Sequence, residues 1–358
     1  MSRLIRAVID TQALRHNLNV IRARAGRAKV IAVVKANAYG HGIVGTALSL
    51  PGADAYAVAR LEEGMALRAA GLNKRIVLLE GVFTPAQLED AAHERLDLVV
   101  HDLSQVELLE KARNADLFAV WLKVDTGMHR LGFAPRDFAA ALTRVRSLMP
   151  RPRELRLMTH LACANERDER TTGEQLTRFR EVTRGLDCET SIANSAGVFG
   201  EYAPGCQWVR PGIALYGGSP FVDVSAAQLG LKPVMTLMSS VIAVRRVPRG
   251  ESVGYGAAWT APRDSVVAVV AAGYGDGVHR SMANGAPVLV NEQRAALVGR
   301  VSMDMLAVDV TGLNGVQVGV PAVLWGAGLP VDEVARHAGT IAYELLCSVS
   351  QRVPLEPR

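Results

Sequence analysis

Several features that would indicate particular functions are missing from the sequence. Its four cysteines, Cys163, Cys188, Cys206 and Cys347, form no CxxC pair and stand at irregular spacing, which argues against a disulfide framework or a zinc site and fits a reducing compartment. No run of 18 apolar residues occurs, so we expect no membrane span. Lysine and arginine form no long run, so we expect no nucleic-acid surface despite the formal charge of +5. Because the N-terminal stretch shows no signal-peptide pattern and leads into a helical one, we expect a cytoplasmic protein.

Lysine is also rare, because only six of the 40 basic residues are lysines. One of them, Lys35, directly follows the apolar run VIAVV at 30–34. An ammonium group at the end of a buried run costs desolvation energy unless it is used. An amine in an apolar, cationic site has the lowered pKa that Schiff-base formation requires. Lys35 is therefore a candidate nucleophilic amine, and a lysine whose head reaches solvent at a strand edge is the alternative.

Apolar runs and helix-like segments alternate over the first two thirds of the chain. A length of 358 residues, with 49% hydrophobic and 21% charged residues, is typical of a folded protein with one large and one smaller domain. Eight continuous apolar runs separated by helices predict a parallel sheet covered on both faces, and their number predicts a closed (β/α)8 barrel of the TIM type over residues 1–230. The runs lie at 30–34, 55–59, 75–79, 97–100, 118–124, 155–162, 189–194 and 208–217.

The pattern of the sequence changes near residue 231. Strand-like runs then follow each other directly, with glycine- and proline-containing turns between them, which predicts a mainly β domain over residues 231–358. The fold class predicted for the whole chain is therefore α/β, with a barrel followed by a β domain. The predicted helices begin near Thr11 and at Pro135 in the first domain, and cover 331–338 and 341–347 in the second.

Two loops at the ends of late barrel strands suit a phosphate group. Residues 194–197 follow the seventh run at the start of a helix, where backbone amides bind anions, and barrels often bind phosphate after strands seven and eight. Arg210 and Gly212, in the eighth run, offer a cation beside backbone that a ligand can approach closely. An ordinary helix cap at Ser195 is the alternative. A Schiff-base lysine together with a phosphate site predicts pyridoxal 5′-phosphate (PLP) as the cofactor.

Eight segments, in order along the chain, resemble sequence blocks of the alanine racemases, the fold-type III family of PLP-dependent enzymes. The resemblance covers essentially the whole length, and the ordered combination is more specific than any single block. It implies a barrel packed against a C-terminal β domain, and a homodimer whose chains pair head to tail and share their active sites. It also implies interconversion of L- and D-alanine. The blocks are AVVKANAYGHG, WLKVDTGMHRLGF, THLA, ANSAG, VRPGIALYG, VGYGAAW, AGYGDG and GRVSMDM.

The resemblance implies two catalytic bases. Lys35 corresponds to the lysine that binds PLP covalently and serves as one base, and Tyr255 corresponds to the second base, which the other chain of the dimer supplies. Inversion of a stereocentre needs a base on each face, because a single base tends to return the proton with retention. A tyrosine with a pKa near ~10 is a poor base unless its surroundings lower that value. Without the resemblance, a solvated strand tyrosine would be the alternative for Tyr255.

The resemblance also implies how cofactor and substrate are held. Arg210 corresponds to the partner of the pyridine nitrogen, with His160 beside it in a supporting role, and since an arginine keeps its proton the ring stays neutral. Arg130 and, from the other chain, the Met303 backbone bind the substrate carboxylate. Lys123 corresponds to a lysine that is carbamylated and holds Arg130, and a lysine reaching solvent is the alternative. The implied phosphate contacts are Tyr39, Ser195, Gly212, Ile213 and Tyr343, with Asn194 nearby.

Together these features predict a PLP-dependent amino-acid racemase, an isomerase that needs no metal ion. Tyr343 and Tyr255 are implied to narrow the entrance, which limits substrates to small side chains. The alternatives are a racemase of broader specificity (serine or others), a non-catalytic PLP-binding barrel protein, and a cofactor-free Schiff-base aldolase. The sequence leaves open whether the reaction supplies D-alanine for the cell wall or serves alanine catabolism. Ser302 stands where some family members have a cysteine, so cysteine-directed inhibition is not carried over.

Overall fold

Eight parallel strands close into a barrel in the computed structural model of the chain. The barrel confirms the predicted fold class, and each of its strands overlaps one of the eight apolar runs. Nearly every residue of these strands is buried, as expected for strands that are covered on both faces. The structure describes residues 4–112, 118–148, 155–166, 169–202 and 205–358. Counting from β1 (Arg6–Ile9), which lies in the second sheet, the barrel strands are β2 (Lys29–Val33), β3 (Ala55–Val58), β4 (Arg75–Leu78), β5 (Asp97–Val100), β6 (Val120–Lys123), β7 (Leu155–Met158), β8 (Thr190–Asn194) and β9 (Trp208–Arg210).

Helices connect the barrel strands and cover the outside of the barrel. The first begins as predicted at Thr11, because the Asp10 side chain accepts hydrogen bonds from the Gln12 and Ala13 amides and so caps it. The helix predicted at Pro135 is also present. In the described part of the chain, no helix is long and apolar enough to cross a membrane. The helices of this domain are α1 (Thr11–Ala25), α2 (Lys35–Tyr39), α3 (Ile43–Leu48), α4 (Leu61–Ala69), α5 (Pro85–His93), α6 (Leu103–Lys111), α7 (Pro135–Leu148), α8 (Glu169–Val182) and α9 (Ser195–Phe199).

A second sheet of eight strands forms most of the C-terminal part of the molecule. Besides β1 it contains β10 (Met235–Val247), β13 (Ser265–Val270), β14 (Pro287–Val290), β15 (Gln293–Val298), β16 (Leu306–Asp309), β17 (Pro321–Trp325) and β18 (Leu355–Pro357). A separate hairpin consists of β11 (Ser252–Val253) and β12 (Trp259–Thr260). The strand order is β13-β16-β15-β14-β17-β10-β1-β18, and β13 also pairs with β10, so that six antiparallel strands form a ring. The two predicted C-terminal helices are present as α10 (Val331–His337) and α11 (Ala342–Ser348).

Strand β1 was not expected from the sequence. It lies between β10 and β18, antiparallel to the first and parallel to the second. The start of the chain thus pairs within the second sheet, although the residues after it form the barrel. Four residues directly before a helix cap carry no recognisable periodicity, which is why sequence patterns led straight to the helix. The division of the chain into domains at residue 230 stays a prediction.

The amino ends of the barrel strands are closed by a network of charged and aromatic side chains. Asp97 is buried and accepts hydrogen bonds from Arg75 Nη1 at 2.5 Å and from Trp121 Nε1 at 2.8 Å. The Arg156 guanidinium lies 5.3 Å from the centre of a Trp121 ring, and its Nε donates to Glu189 at 2.9 Å. Because this end is filled with paired side chains, the opposite, carboxyl end is left for a ligand.

Candidate active site

A cavity of about 490 Å³ lies at the carboxyl ends of the barrel strands. Lys35 stands two residues after β2, Lys123 ends β6, His160 stands two residues after β7, and Arg210 ends β9. Strand ends at this face are where barrels of this type carry their active sites. Of the thirteen residues that the sequence predicts for the site, eleven line this one cavity. They are Lys35, Tyr39, Lys123, Arg130, His160, Asn194, Ser195, Arg210, Gly212, Ile213 and Tyr343.

Arg210 is buried and fixed by several hydrogen bonds. Its Nη1 donates to Ser191 Oγ at 2.5 Å, and its Nη2 donates to the Thr159 carbonyl at 2.6 Å and lies 3.4 Å from His160 Nδ1. Burial lowers the pKa of Arg210 to about 10. The guanidinium therefore keeps its charge at neutral pH, and it can face a ligand nitrogen without giving up a proton.

Positive charge dominates the cavity. Burial, followed by the charges of Arg210 and Arg130, lowers the pKa of Lys123 to about 8. Burial also lowers the pKa of His160 well below its usual range, and the nearby cations, Arg210 first, add to this effect. His160 is therefore neutral at physiological pH. A concave site with this field attracts small anions such as carboxylates and phosphates.

Arg130 lies at the cavity on a loop that Asp125 organises. Asp125 Oδ1 accepts hydrogen bonds from the backbone amides of Gly127 at 2.9 Å and of Met128 and His129 at 3.1 Å each. These three bonds fix the loop after strand β6. The exposed guanidinium of Arg130 is thereby held at the cavity, where it can bind an incoming carboxylate.

The predicted phosphate site consists of Ser195, Gly212, Ile213 and Tyr39, which all line the cavity. Ser195 Oγ accepts hydrogen bonds from the Gly212 amide at 2.9 Å and from the Ala214 amide at 3.4 Å. A Cβ atom on Gly212 would lie 2.3 Å from Tyr39 Oη, so only glycine fits between the strand end and this hydroxyl. Within the described residues, the Ile213 amide has no acceptor. Free amides next to hydroxyl groups suit the oxygens of a phosphate.

The loop after β8 also settles which residue caps helix α9. The cap is Asn194, whose side chain accepts a hydrogen bond from the Gly197 amide at 2.9 Å, and not Ser195. An ordinary cap therefore does not explain the presence of Ser195. Its hydroxyl is instead directed to the backbone of the residues that follow β9.

Three tyrosines pack together beside the predicted phosphate site. Tyr39 stacks on Tyr216 with ring centres 4.7 Å apart and lies 6.0 Å from Tyr343, which belongs to α11 of the second domain. Burial raises the pKa of Tyr343 to about 12 and also raises the pKa of Tyr39. Both hydroxyls therefore remain protonated and can donate hydrogen bonds, but neither is suited to remove a proton.

The four residues after Lys35, which end at Tyr39 of the predicted phosphate site, form a left-handed turn. Residues 36–39, none of them glycine, have φ values of 54°, 52°, 54° and 53°. Such a conformation costs about 1–2 kcal/mol per residue, because Cβ comes close to the following carbonyl oxygen. At Gly40, where the turn ends, a Cβ would lie 2.1 Å from the Leu346 carbonyl oxygen of α11. Backbone strain of this size persists only where the surroundings enforce it.

Two family models match nearly the whole chain. The model described as "Alanine racemase, N-terminal domain" matches residues 9–220, and the model described as "Alanine racemase, C-terminal domain" matches residues 234–356. The chain belongs to the alanine racemase family. This membership confirms the resemblance seen in the sequence blocks.

Individual members of the alanine racemase family are similar to the chain over its full length. It is 48% identical over 349 residues to the alanine racemase of Vibrio cholerae, covering 98% of this chain and 97% of that protein. It is 49% identical over 358 residues to that of Halorhodospira halophila, covering 100% and 98%. A solved structure of a biosynthetic alanine racemase from Pseudomonas aeruginosa matches with a TM-score of 0.96 at 47% identity, and one from Acinetobacter baumannii with 0.94 at 37%, each covering 100% of both chains.

The remaining two predicted site residues lie outside the cavity of this chain. Tyr255, between β11 and β12, is 66% exposed, and Met303 is 54% exposed. The turn that carries Met303 is held by Arg352, whose Nη2 donates to Asp304 Oδ1 at 2.7 Å and whose Nε donates to Asp276 Oδ1 at 2.7 Å. A single chain thus lacks both residues at its own cavity.

Some residues near the cavity were not predicted. Cys347 lines the cavity, because it stands one helical turn after Tyr343 on α11 and so lies on the same face of that helix. This spacing could have predicted its position at the site. Glu80 follows β4 and is the only carboxylate among the described residues that line the cavity. Tyr216 and His41 pack behind Tyr39. Their positions depend on the left-handed turn, which the sequence does not signal.

Proposed function

We propose that the chain is an alanine racemase, an isomerase that interconverts L- and D-alanine, and that it uses PLP bound in the cavity described above. The observation that carries this proposal is that Lys35, Arg210 and the phosphate site face one cavity at the carboxyl end of the barrel. An amine, a fixed cation and an anion site are the groups that PLP requires at its carbonyl, its ring nitrogen and its phosphate.

The residues present fit the cofactor. Lys35 would bind it covalently, Arg210 would face the ring nitrogen, and the free Ile213 amide with the Tyr39 and Tyr343 hydroxyls would bind phosphate oxygens. When bound, PLP withdraws electrons from the α-carbon of an attached amino acid and makes its proton removable. Because Arg210 keeps its own proton, it leaves the ring nitrogen unprotonated. The weaker electron withdrawal that results favours racemisation over side reactions.

Racemisation requires a proton acceptor on each face of the α-carbon, and we assign these roles to Lys35 and to Tyr255 of a second chain. Tyr39 and Tyr343 are excluded because burial raises the pKa of both. Tyr255 is exposed on the second domain and reaches a cavity only if another chain is seated there. The proposal therefore includes a homodimer whose two active sites are shared.

The substrate carboxylate is assigned to Arg130 and to the Met303 backbone of the other chain. The Met303 amide makes no hydrogen bond to any residue that the structure describes, so it is free to donate to a carboxylate. Lys123 is buried near Arg130 and Arg210, and its amine makes no hydrogen bond to another described residue. Its pKa of about 8 leaves a fraction of neutral amine, the form that reacts with CO2. Carbamylation would replace a positive charge by a negative one that can bind Arg130. ¹³C NMR in buffer equilibrated with ¹³CO2 tests this proposal: the wild type should show a carbamate signal, and Lys123→Met should lack it.

Mixing two inactive variants tests both the assignment of the bases and the shared site. Lys35→Ala chains and Tyr255→Phe chains should each be inactive, whereas hybrid dimers regain one intact site in each molecule. Racemisation of L-alanine should recover to about a quarter of the wild-type rate if the chains mix at random. No recovery after mixing, with dimers present by light scattering, would contradict the shared site. A cytoplasmic location also stays a prediction, and cell fractionation tests it.

A further inference from the structure

We propose that His41 is a positioning residue of the active site, because its imidazole holds the left-handed turn that sets Lys35 relative to Tyr39. This inference rests on the proposed function, in which Lys35 binds the carbonyl end of PLP and Tyr39 binds its phosphate. His41 does not line the cavity, so it would not touch a ligand bound there. Its effect must therefore pass through the backbone of residues 36–39.

The hydrogen bonds of the His41 ring determine its protonation. The Nδ1 atom lies 3.0 Å from the Ala38 carbonyl oxygen and 2.8 Å from the Tyr39 carbonyl oxygen. Since carbonyl oxygens only accept, the proton must be on Nδ1, and one N–H serves both carbonyls. The His41 backbone amide also donates to the Ala38 carbonyl at 3.0 Å. One residue thus binds the last two carbonyls of the left-handed turn.

Packing behind the ring keeps His41 in this orientation. His41 is 3% exposed, and its ring centre lies 4.6 Å from that of Tyr216. The Tyr216 hydroxyl donates to the Val33 carbonyl at 2.9 Å, and its ring stacks on Tyr39. His41, Tyr216 and Tyr39 therefore form a continuous stack that connects the end of strand β2 to the phosphate site. The Nε2 atom of His41 is buried and has no partner in the described structure, so the interactions of the ring are all directed to the turn and to Tyr216.

The turn fixes two groups of the site at once. Lys35 stands directly before its first residue, and Tyr39 is its last. If the turn relaxed to an ordinary right-handed or extended conformation, the Lys35 amine and the Tyr39 hydroxyl would no longer face the same cavity in their present arrangement. The alternative role for His41 is core packing alone, which any side chain of similar shape would fulfil.

A pair of nearly isosteric substitutions separates these two roles. His41→Asn places an amide N–H2 where Nδ1 stands, whereas His41→Leu has a similar shape but no donor. We expect His41→Leu to raise the dissociation constant for PLP at least tenfold and to weaken the absorbance band of lysine-bound cofactor. His41→Asn should restore most of both. Unfolding midpoints of the apo proteins should differ much less between the two variants than their PLP affinities do.

A compensating substitution provides a second measurement. Ala36 is exposed and lies at φ 54°, where glycine has no steric penalty. Ala36→Gly should therefore recover part of the PLP affinity of His41→Leu, since the turn then needs less support. Equal PLP affinity in His41→Leu and wild type, equal impairment of the Asn and Leu variants, or failure of both to fold would overturn the positioning role. If instead the wild type does not bind PLP, or if Lys35→Ala binds PLP as tightly as the wild type does, the proposed function itself is wrong.

Discussion

Gly212→Ala should weaken PLP binding by a steric contact that the structure defines. The new Cβ would lie 2.3 Å from Tyr39 Oη and 3.0 Å from its Cζ, well inside van der Waals contact. Tyr39 can move away only by giving up part of its stacking on Tyr216, whose ring centre lies 4.7 Å away. The apo protein can relieve the contact by shifting Tyr39, so the cost arises when PLP requires the hydroxyl in place. Overpacking of this kind costs ~1–3 kcal/mol, which corresponds to a roughly 5- to 150-fold higher dissociation constant.

Titration of the apo protein with PLP, followed by absorbance, measures this effect. Gly173→Ala is the matched control, because Gly173 lies within α8 and its new methyl group would meet no atom of a neighbouring element within 4 Å, so this variant should bind PLP as the wild type does. In a double-mutant cycle, Gly212→Ala should cost less when Tyr39 is already phenylalanine, since the contact to the hydroxyl is gone. A dissociation constant for Gly212→Ala within twofold of wild type would refute the assignment of this contact to the phosphate site.

Three further predictions concern pH, catalysis and substrate binding. Burial lowers the pKa of His41 to about 4, so well above pH 6.5 the ring is neutral in both the folded and the unfolded chain. As the pH falls towards 4 the unfolded chain takes up the proton first, and the free energy of unfolding drops by roughly 3 kcal/mol. Urea titrations should show this drop and a flatter profile for His41→Asn, and identical profiles would contradict it. Tyr255→Phe should reduce alanine racemisation by about 10²–10⁴-fold with unchanged PLP content, and a rate near wild type would remove Tyr255 from the mechanism. Arg352→Gln, which releases Asp304 and the Met303 turn, should raise KM for alanine by roughly tenfold with a smaller change in kcat, whereas an unchanged KM would show that the turn needs no such support.

Much of the barrel could be predicted because its strands are buried on both faces and therefore appear as continuous apolar runs. The same logic located the site, since residues at the carboxyl ends of such strands meet at one end of the barrel: Lys35, His160, Ser195 and Gly212 each stand one or two residues after a barrel strand. The PLP hypothesis followed from three of these strand ends, those that carry Lys35, Ser195 and Gly212. The resemblance to a family then added roles that strand patterns alone do not carry.

Other features depend on tertiary contacts that local patterns do not report. The strand β1 is defined by partners far along the chain and not by its own four residues. The left-handed turn runs through Ala36, Asn37, Ala38 and Tyr39, and alanine and tyrosine carry no local preference for positive φ. His41 and Tyr216 could not be assigned for this reason. Tyr255 could be placed on the second domain from the sequence, but its exposure became visible only in the folded chain.

The position of β1 has a consequence for how the protein is synthesised. Thr11, just after β1, hydrogen-bonds to Arg358, and the two residues are 347 positions apart in the chain. At ~5–20 residues per second, translation separates them by roughly 20–70 s. During that time the barrel can form on the ribosome, but β1 lacks its neighbour β10 until residues 235–247 emerge, and it lacks its other neighbour, β18, for longer still. The second sheet is completed only after β18 (Leu355–Pro357) emerges, so nascent chains should depend on protection of this unpaired strand edge.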